Sequence, residues 1–310
     1  YYANEEQLEY TRRSVYSVLG NTPLYAQYFQ WAMAFNGDET YLNRTTLPTG
    51  PWNYFYSSSD SYNYQFWANL YLGVSRANSV LANLNKAVDV EQAYLDMIKG
   101  EMHFLRGYFY FLLVQYYGGV PLRITPALSV NEVDISRASI AETYKLILED
   151  MTIAESLVPS ITKIGHGGAV SKSAVRGLLA RVNLVMAGQP LNDRSRLIEA
   201  KQWAKKVMED TEANHGLNPS YSNIFVRLAA DQYDIRESIW EVEFRGNLTD
   251  QYNETGYQGA LNSVSTNVNS ATGPAAGYLS TTAKLYNVYE NGDLRKWFNI
   301  AHFRYVISNT

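Results

Sequence analysis

Residues 36–62 gather the side-chain types that grip a sugar. Asp38, Tyr41, Asn43, Arg44, Trp52, Asn53, Tyr54 and Tyr56 fall within this one stretch. The apolar face of a pyranose ring stacks on an aromatic ring, and its hydroxyls pair with planar polar groups such as Asn, Asp and Arg. A rigid platform of exposed rings is enough for such a ligand. A blander role competes with this one. Tryptophan is highly buried on average, so Trp52 and Phe55 would then pin a long loop to the rest of the fold. A second stretch carries the same mixture more sparsely, with Asn247, Tyr252, Asn253, Tyr257 and Asn262; its plain alternative is a solvated loop.

Other chemistries find less support. The chain has no cysteine, which removes disulfides, thiolate metal sites and a cysteine nucleophile. The histidines at 103, 166, 215 and 302 are scattered and form no HExxH pair, so no zinc hydrolase is expected and no metal ligand is assigned, with hard-cation binding by the Asp and Asn loops left open. No EF-hand pattern and no cofactor motif is present. Glycoside hydrolysis needs two carboxylates about 5–9.5 Å apart across a sugar. Asp38-Glu39 and Glu290/Asp293 supply carboxylates without placing such a pair. The net charge of −4 argues against a nucleic-acid partner, and no apolar run reaches the 18 residues of a spanning helix. Tyr, at 26, outnumbers Phe (11) and Trp (6) together. That surplus suits half-wet surfaces and interfaces, although most of these rings are expected to pack between helices.

The elements that must position these residues are mainly helical. Apolar residues recur at helical spacing over 4–20, 63–86, 91–117, 139–157, 171–186 and 195–210. Gly118-Gly119-Val120-Pro121 stops the third of these. Ser139 and Glu142 form a capping box at the start of the fourth. Residues 24–35 fit a short helix or a buried strand. Residues 236–245 alternate apolar and polar side chains and predict one strand. Residues 246–282 read as a second long irregular region, followed by a helical turn at 281–290. The fold class expected is mainly α: tetratricopeptide-like stacked helical hairpins with long irregular loops and few short strands.

Several motifs then align, in order, with one family. They are Trp67-Ala68-Asn69-Leu70-Tyr71 with Arg76-Ala77-Asn78, Gly100-Glu101-Met102-His103-Phe104-Leu105-Arg106-Gly107, and Tyr116-Tyr117-Gly118-Gly119-Val120-Pro121-Leu122. Leu178-Leu179-Ala180-Arg181-Val182, Tyr221-Ser222-Asn223-Ile224-Phe225, Glu237-Ser238-Ile239-Trp240-Glu241-Val242 and Tyr289-Glu290 with Asp293-Leu294-Arg295 continue the series. The sequence resembles the SusD/RagB family of nutrient-binding outer-membrane lipoproteins. It departs from the family at Gly107, where alanine is usual, and at Gly168–Lys172, where an arginine is missing.

The resemblance implies a single SusD-like domain over 1–310 that lacks the C-terminal part of the family fold. A helical scaffold (1–210) would hold a loop-rich ligand and partner face (36–62 and 215–310). It implies no catalysis. It implies glycan capture at the cell surface and delivery to a SusC-like TonB-dependent transporter, with a lipid anchor upstream of Tyr1 in the outer membrane. The competing class is a tetratricopeptide-like scaffold whose aromatic loops bind a protein or peptide. Glu101 and Arg106 are five residues apart, too far for an i,i+4 pair, and read as pins between helices.

Overall fold

The computed structural model describes residues 2–30, 37–43, 49–127, 129, 132, 134–244, 256–267 and 273–305. Contacts group the chain into two compact units, Tyr1–Val18 with Leu70–Val242, and Leu19–Asn69 with Glu243–Thr310.

The first unit is an array of antiparallel helices. It contains α1 (Glu5–Tyr16), the C-terminal part of α2 (Ser61–Asn83), α3 (Gln92–Tyr117), α4 (Ile140–Leu157), the short α5 (Ile161–Ile164), α6 (Lys172–Met186), α7 (Arg196–Met208) and α8 (Tyr221–Ala229). Helix α3 packs on α4, α4 on α6, α6 on α7, and α1 on α3. The sequence dictates that α3 is central. From Met102 to Val114 it is buried on almost every side, as a helix apolar all round must be. Each fully buried Phe or Leu there contributes about 1.5–3 kcal/mol. Small residues set the spacing. A β-carbon on Gly73 would stand 2.4 Å from the Phe109 ring, so only glycine lets α2 approach α3 there. At Gly107 a β-carbon would meet Asp150 Cβ at 3.3 Å, so the glycine in place of the family's alanine lets α4 lie closer.

The ends of these helices follow their local chemistry. Asn4 accepts from the Gln7 amide at 3.0 Å to cap α1. The Ser139–Glu142 capping box forms as expected, and Ser171 accepts from Ala174 N to cap α6. Helix α3 stops at Gly118, with φ +70, a conformation that favours glycine. Arg137 then donates to the carbonyls of Tyr117 (2.6 Å) and Gly119 (2.7 Å), neutralising the helix C-terminus.

The strand expected at 236–245 is a correction. Residues 235–237 turn and 238–244 run without a ladder partner among the described residues; Arg245 lies outside them. The alternation reflects packing instead. The Trp240 ring stands nearly perpendicular to those of Phe104 and Tyr108, with centroids 5.0 Å away in each case, and Glu241 N donates to Gly167 O at 2.9 Å. Of 24–35, Thr22–Ala26 forms one wide kinked turn and residues 31–36 lie outside the described residues.

The second unit contains the start of α2, the strands β1 (Thr40–Leu42) and β2 (Leu279–Thr281), α9 (Gln258–Asn262), α10 (Ala283–Val288) and α11 (Leu294–Asn299). Strands β1 and β2 are antiparallel, with Thr40 opposite Thr281, Tyr41 opposite Ser280 and Leu42 opposite Leu279.

Candidate functional site

The two irregular stretches meet in the second unit. Asn43 N donates to Tyr278 O (2.8 Å) and Thr282 N to Glu39 O (2.9 Å), extending the β1–β2 ladder at both ends. Tyr257 N donates to Ala26 O at 3.0 Å. Asp38 pairs with Lys284, and its carbonyl accepts from Thr282 Oγ1 at 2.7 Å. The hydrogen bond and charge of Lys284 hold the Asp38 carboxyl below its usual range.

Trp52 is the floor of this unit, and here the ligand-stacking expectation is corrected. Its side chain is 4% exposed and is packed by Leu42, Tyr62, Leu261, Tyr278 and Leu279. The Tyr62 ring stands at 78° to the indole, with centroids 5.0 Å apart. The indole therefore offers no face to a sugar; it joins residues of both irregular stretches in one core. Gly50 makes that possible. Its φ is +141, and a β-carbon there would sit 2.4 Å from the Trp52 ring.

From this floor a short turn projects. Pro51–Asn53 form one 3-10 turn, and Gly50 and Phe55 exchange backbone hydrogen bonds of 2.9 and 3.3 Å. Tyr54 takes the left-handed conformation, φ 55. The turn displays three consecutive rings: Tyr54 and Phe55 are each 67% exposed and Tyr56 is 55% exposed. Phe55, expected to pin the loop, therefore faces solvent. Tyr41 on β1 and Tyr64 on α2 are exposed too. The far end is fixed by Asp60, whose Oδ1 accepts from the amides of Tyr62 (2.9 Å) and Asn63 (3.4 Å) and so caps α2.

The remaining candidates divide. Asn43 and Asn53 are exposed, and Tyr257 is half-buried beside α9. Asn262 donates to Gln258 Oε1 at 2.9 Å, inside its own helix. Arg44, Asn247, Tyr252 and Asn253 lie outside the described residues. Sequence reasoning missed Phe55 and Tyr64 as surface rings. The run Tyr54-Phe55-Tyr56 just after Gly50-Pro51 was the available signal, since a Gly-Pro dipeptide marks a turn or loop and loops run over the surface.

The charged motif residues hold the first unit together. Arg12 donates from Nε and Nη2 to the two carboxylate oxygens of Glu101, the second at 2.8 Å. Burial pushes the Glu101 carboxyl up, and Arg12 offsets part of that push. Arg106 donates to both oxygens of Asp150 (2.8 and 2.7 Å) and to Asn78 Oδ1 (2.8 Å). His103 Nδ1 lies 2.7 Å from Asp150 Oδ1. Glu101 and Arg106 thus pair with other helices and not with each other. Ser173 and His215 are 2.7 Å apart, but Ser173 is 1% exposed. This pair is a packing contact, out of reach of any substrate.

The helical array of the first unit defines the class of fold, and the comparisons place the chain in a family. The family model described as "Starch-binding associating with outer membrane" (SusD-like) matches residues 11–184. The chain belongs to this SusD-like family. The SusD-like protein P25 of Formosa agariphila is 25% identical over 289 residues, covering 87% of this chain and 51% of the relative. A SusD homolog from Bacteroides thetaiotaomicron superposes with a TM-score of 0.79 at 23% identity, covering 91% of this chain and 55% of that one. The surface glycan-binding protein A from Bacteroides fluxus gives 0.74 at 20% identity, with 95% and 63% covered. The chain spans about half the length of the curated relatives it matches.

Proposed function

We propose that this protein captures a glycan at the outer-membrane surface and passes it, unmodified, to a partner TonB-dependent transporter. The observation that carries the reading is the ring series Tyr54-Phe55-Tyr56, held open to solvent above the buried Trp52. Rings already held in place cost little entropy to engage, so even a partly enclosed ligand gains net affinity. Tyr41, Asn43, Asn53 and Asp38 supply ring and polar contacts around the turn, and Arg44, Tyr252 and Tyr257 are further candidates. The family's outer-membrane description and the glycan-binding relative from Bacteroides fluxus support the ligand class. The transporter and an N-terminal lipid anchor rest on the family resemblance. No catalytic step is assigned.

Native gels containing a panel of neutral polysaccharides test this. At least one polysaccharide should retard the wild-type protein, and Tyr54→Ala/Tyr56→Ala should abolish that retardation. No retardation by any neutral polysaccharide would refute neutral-glycan capture at the 54–56 turn. Release of new reducing ends would show catalysis instead.

A further inference from the structure

A second cluster of rings lies in the same unit, with an ammonium beside it. His302 packs on Trp297 with centroids 4.3 Å apart and planes tilted by 37°. Its other neighbour is Tyr286, at 6.0 Å. Lys296 Nζ sits 3.9 Å over the Tyr286 ring. The four side chains are therefore contiguous. Trp297 is 64% exposed and His302 is exposed as well. Thr282 caps α10 by accepting from Leu285 N, and Asp293 caps α11 by accepting from Arg295 N, so both carriers of these rings have defined ends.

The charges here are specific. Between 283 and 305 the bases are Lys284, Arg295, Lys296 and Arg304, and the acids are Glu290 and Asp293. Lys284 is taken by Asp38 and Arg295 by Asp293. Lys296 is held against a ring rather than a carboxylate, and Arg304 is exposed. An aromatic face beside an ammonium suits a ligand with an apolar ring face and an anionic substituent. The ring supplies contact area, and the cation supplies a charge-assisted hydrogen bond.

We propose that Trp297, His302, Tyr286 and Lys296 form a second saccharide-binding patch, selective for a sugar ring that carries a carboxylate or a sulfate. The sugar stacks on Trp297, and its anionic group turns toward Lys296. The residues of this patch are other than those of the 54–56 turn, so its test reads separately.

Native gels containing polygalacturonate, or a sulfated galactan, test it at low salt, with a neutral glucan as reference. At least one anionic polymer should retard the wild-type protein. Retardation by polygalacturonate alone identifies a carboxylate ligand, and by the galactan alone a sulfate ligand. Trp297→Ala should weaken the interaction roughly tenfold, about the worth of one stacked ring. Lys296→Gln should weaken it and reduce its salt dependence. Tyr54→Ala/Tyr56→Ala should leave it unchanged. Both single variants alter exposed or half-buried positions, and an unchanged circular-dichroism spectrum establishes that they fold. No retardation by either polymer overturns the proposal, as does retardation that survives both variants. A wild-type dimer that Trp297→Ala converts to monomer, with retardation unaltered, also overturns it and assigns the patch to a second copy of the chain.

Discussion

Trp52 and Tyr54 are two residues apart and do opposite things, and their different burial fixes what each substitution costs. Trp52→Ala removes a ring from a closed packing site, which costs about 3–5 kcal/mol. Tyr54→Ala removes a ring that faces water and should change stability by within about 0.5 kcal/mol. Urea denaturation of the two variants checks both values. Equal losses would mean that the turn packs differently from the structure described. Residue type alone could not make this division. The sequence marked 36–62 as rich in rings and planar polar groups, but which ring turns inward depends on Gly50 leaving room for the indole. The charged pins were more legible, because Glu101 and Arg106 lie on a helix otherwise too apolar to leave a charge unpaired. Asp150→Ala strips Arg106 of two hydrogen bonds inside the first unit. A buried charge without its partner costs about 3–5 kcal/mol, measurable in the same urea series. A loss under about 1 kcal/mol would mean that water already screens the pair.

At the scale of elements, periodicity and stop signals succeeded wherever a helix owns its own burial pattern. Helices α3, α4, α6 and α7 begin and end within a residue or two of expectation. The sheet was not legible. Strands β1 and β2 have three residues each and are separated by more than two hundred positions, so no local pattern announces their pairing. The strand expected at 236–245 failed for the complementary reason: alternation reports a two-sided environment, and here α3 supplies one side without any neighbouring strand. Glycines allow a sharper test of element geometry. A β-carbon on Gly119 would stand 2.0 Å from Ala138 O, a backbone atom that Arg137 and the Ala138 N–Val120 O bond (3.0 Å) keep in place. Gly119→Ala should therefore lower the melting temperature by several degrees or more. Gly177, in the interior of α6, has nothing within 4 Å of the added carbon. Gly177→Ala should stabilise by about 0.5–1 kcal/mol through helix propensity alone. Calorimetry on the pair checks the opposite signs.

Across the whole molecule, burial and charge are both unevenly distributed. Every buried hydrophobic among the described residues lies at or before Ala213, so the helices build most of the core, while the later segments add the partly buried Leu261, Tyr278 and Leu279 around Trp52. The motifs at 67–78, 100–107 and 178–182 belong to those buried helices, where packing restricts the residue type. The loop surfaces left no comparable trace, since solvent tolerates many sequences. The charges add a dependence on pH. Burial pushes the Glu9 carboxyl up, but Arg12, Arg13 and Tyr94 outweigh it and hold the group below the usual carboxylate range. The Ala213 amide, with Arg176, holds Asp210 down against a smaller push from burial. Both carboxylates bind protons less tightly folded than unfolded. Their stabilisation is therefore complete above the unfolded pKa of about 4 and is lost as the pH falls through the lowered folded values. Glu101 has the opposite sign, because burial raises it. Protonation of Glu101 favours the fold between the unfolded and folded values, so no loss is expected on moving from neutrality down to about pH 5. Melting temperatures should be level across that range and should drop below about pH 4. Glu9→Gln/Asp210→Asn should lie below wild type at pH 7 and converge on it near pH 3, because the variant has already lost what acid removes. Parallel curves for the two proteins down to pH 3 would show that these carboxylates do not carry the acid sensitivity.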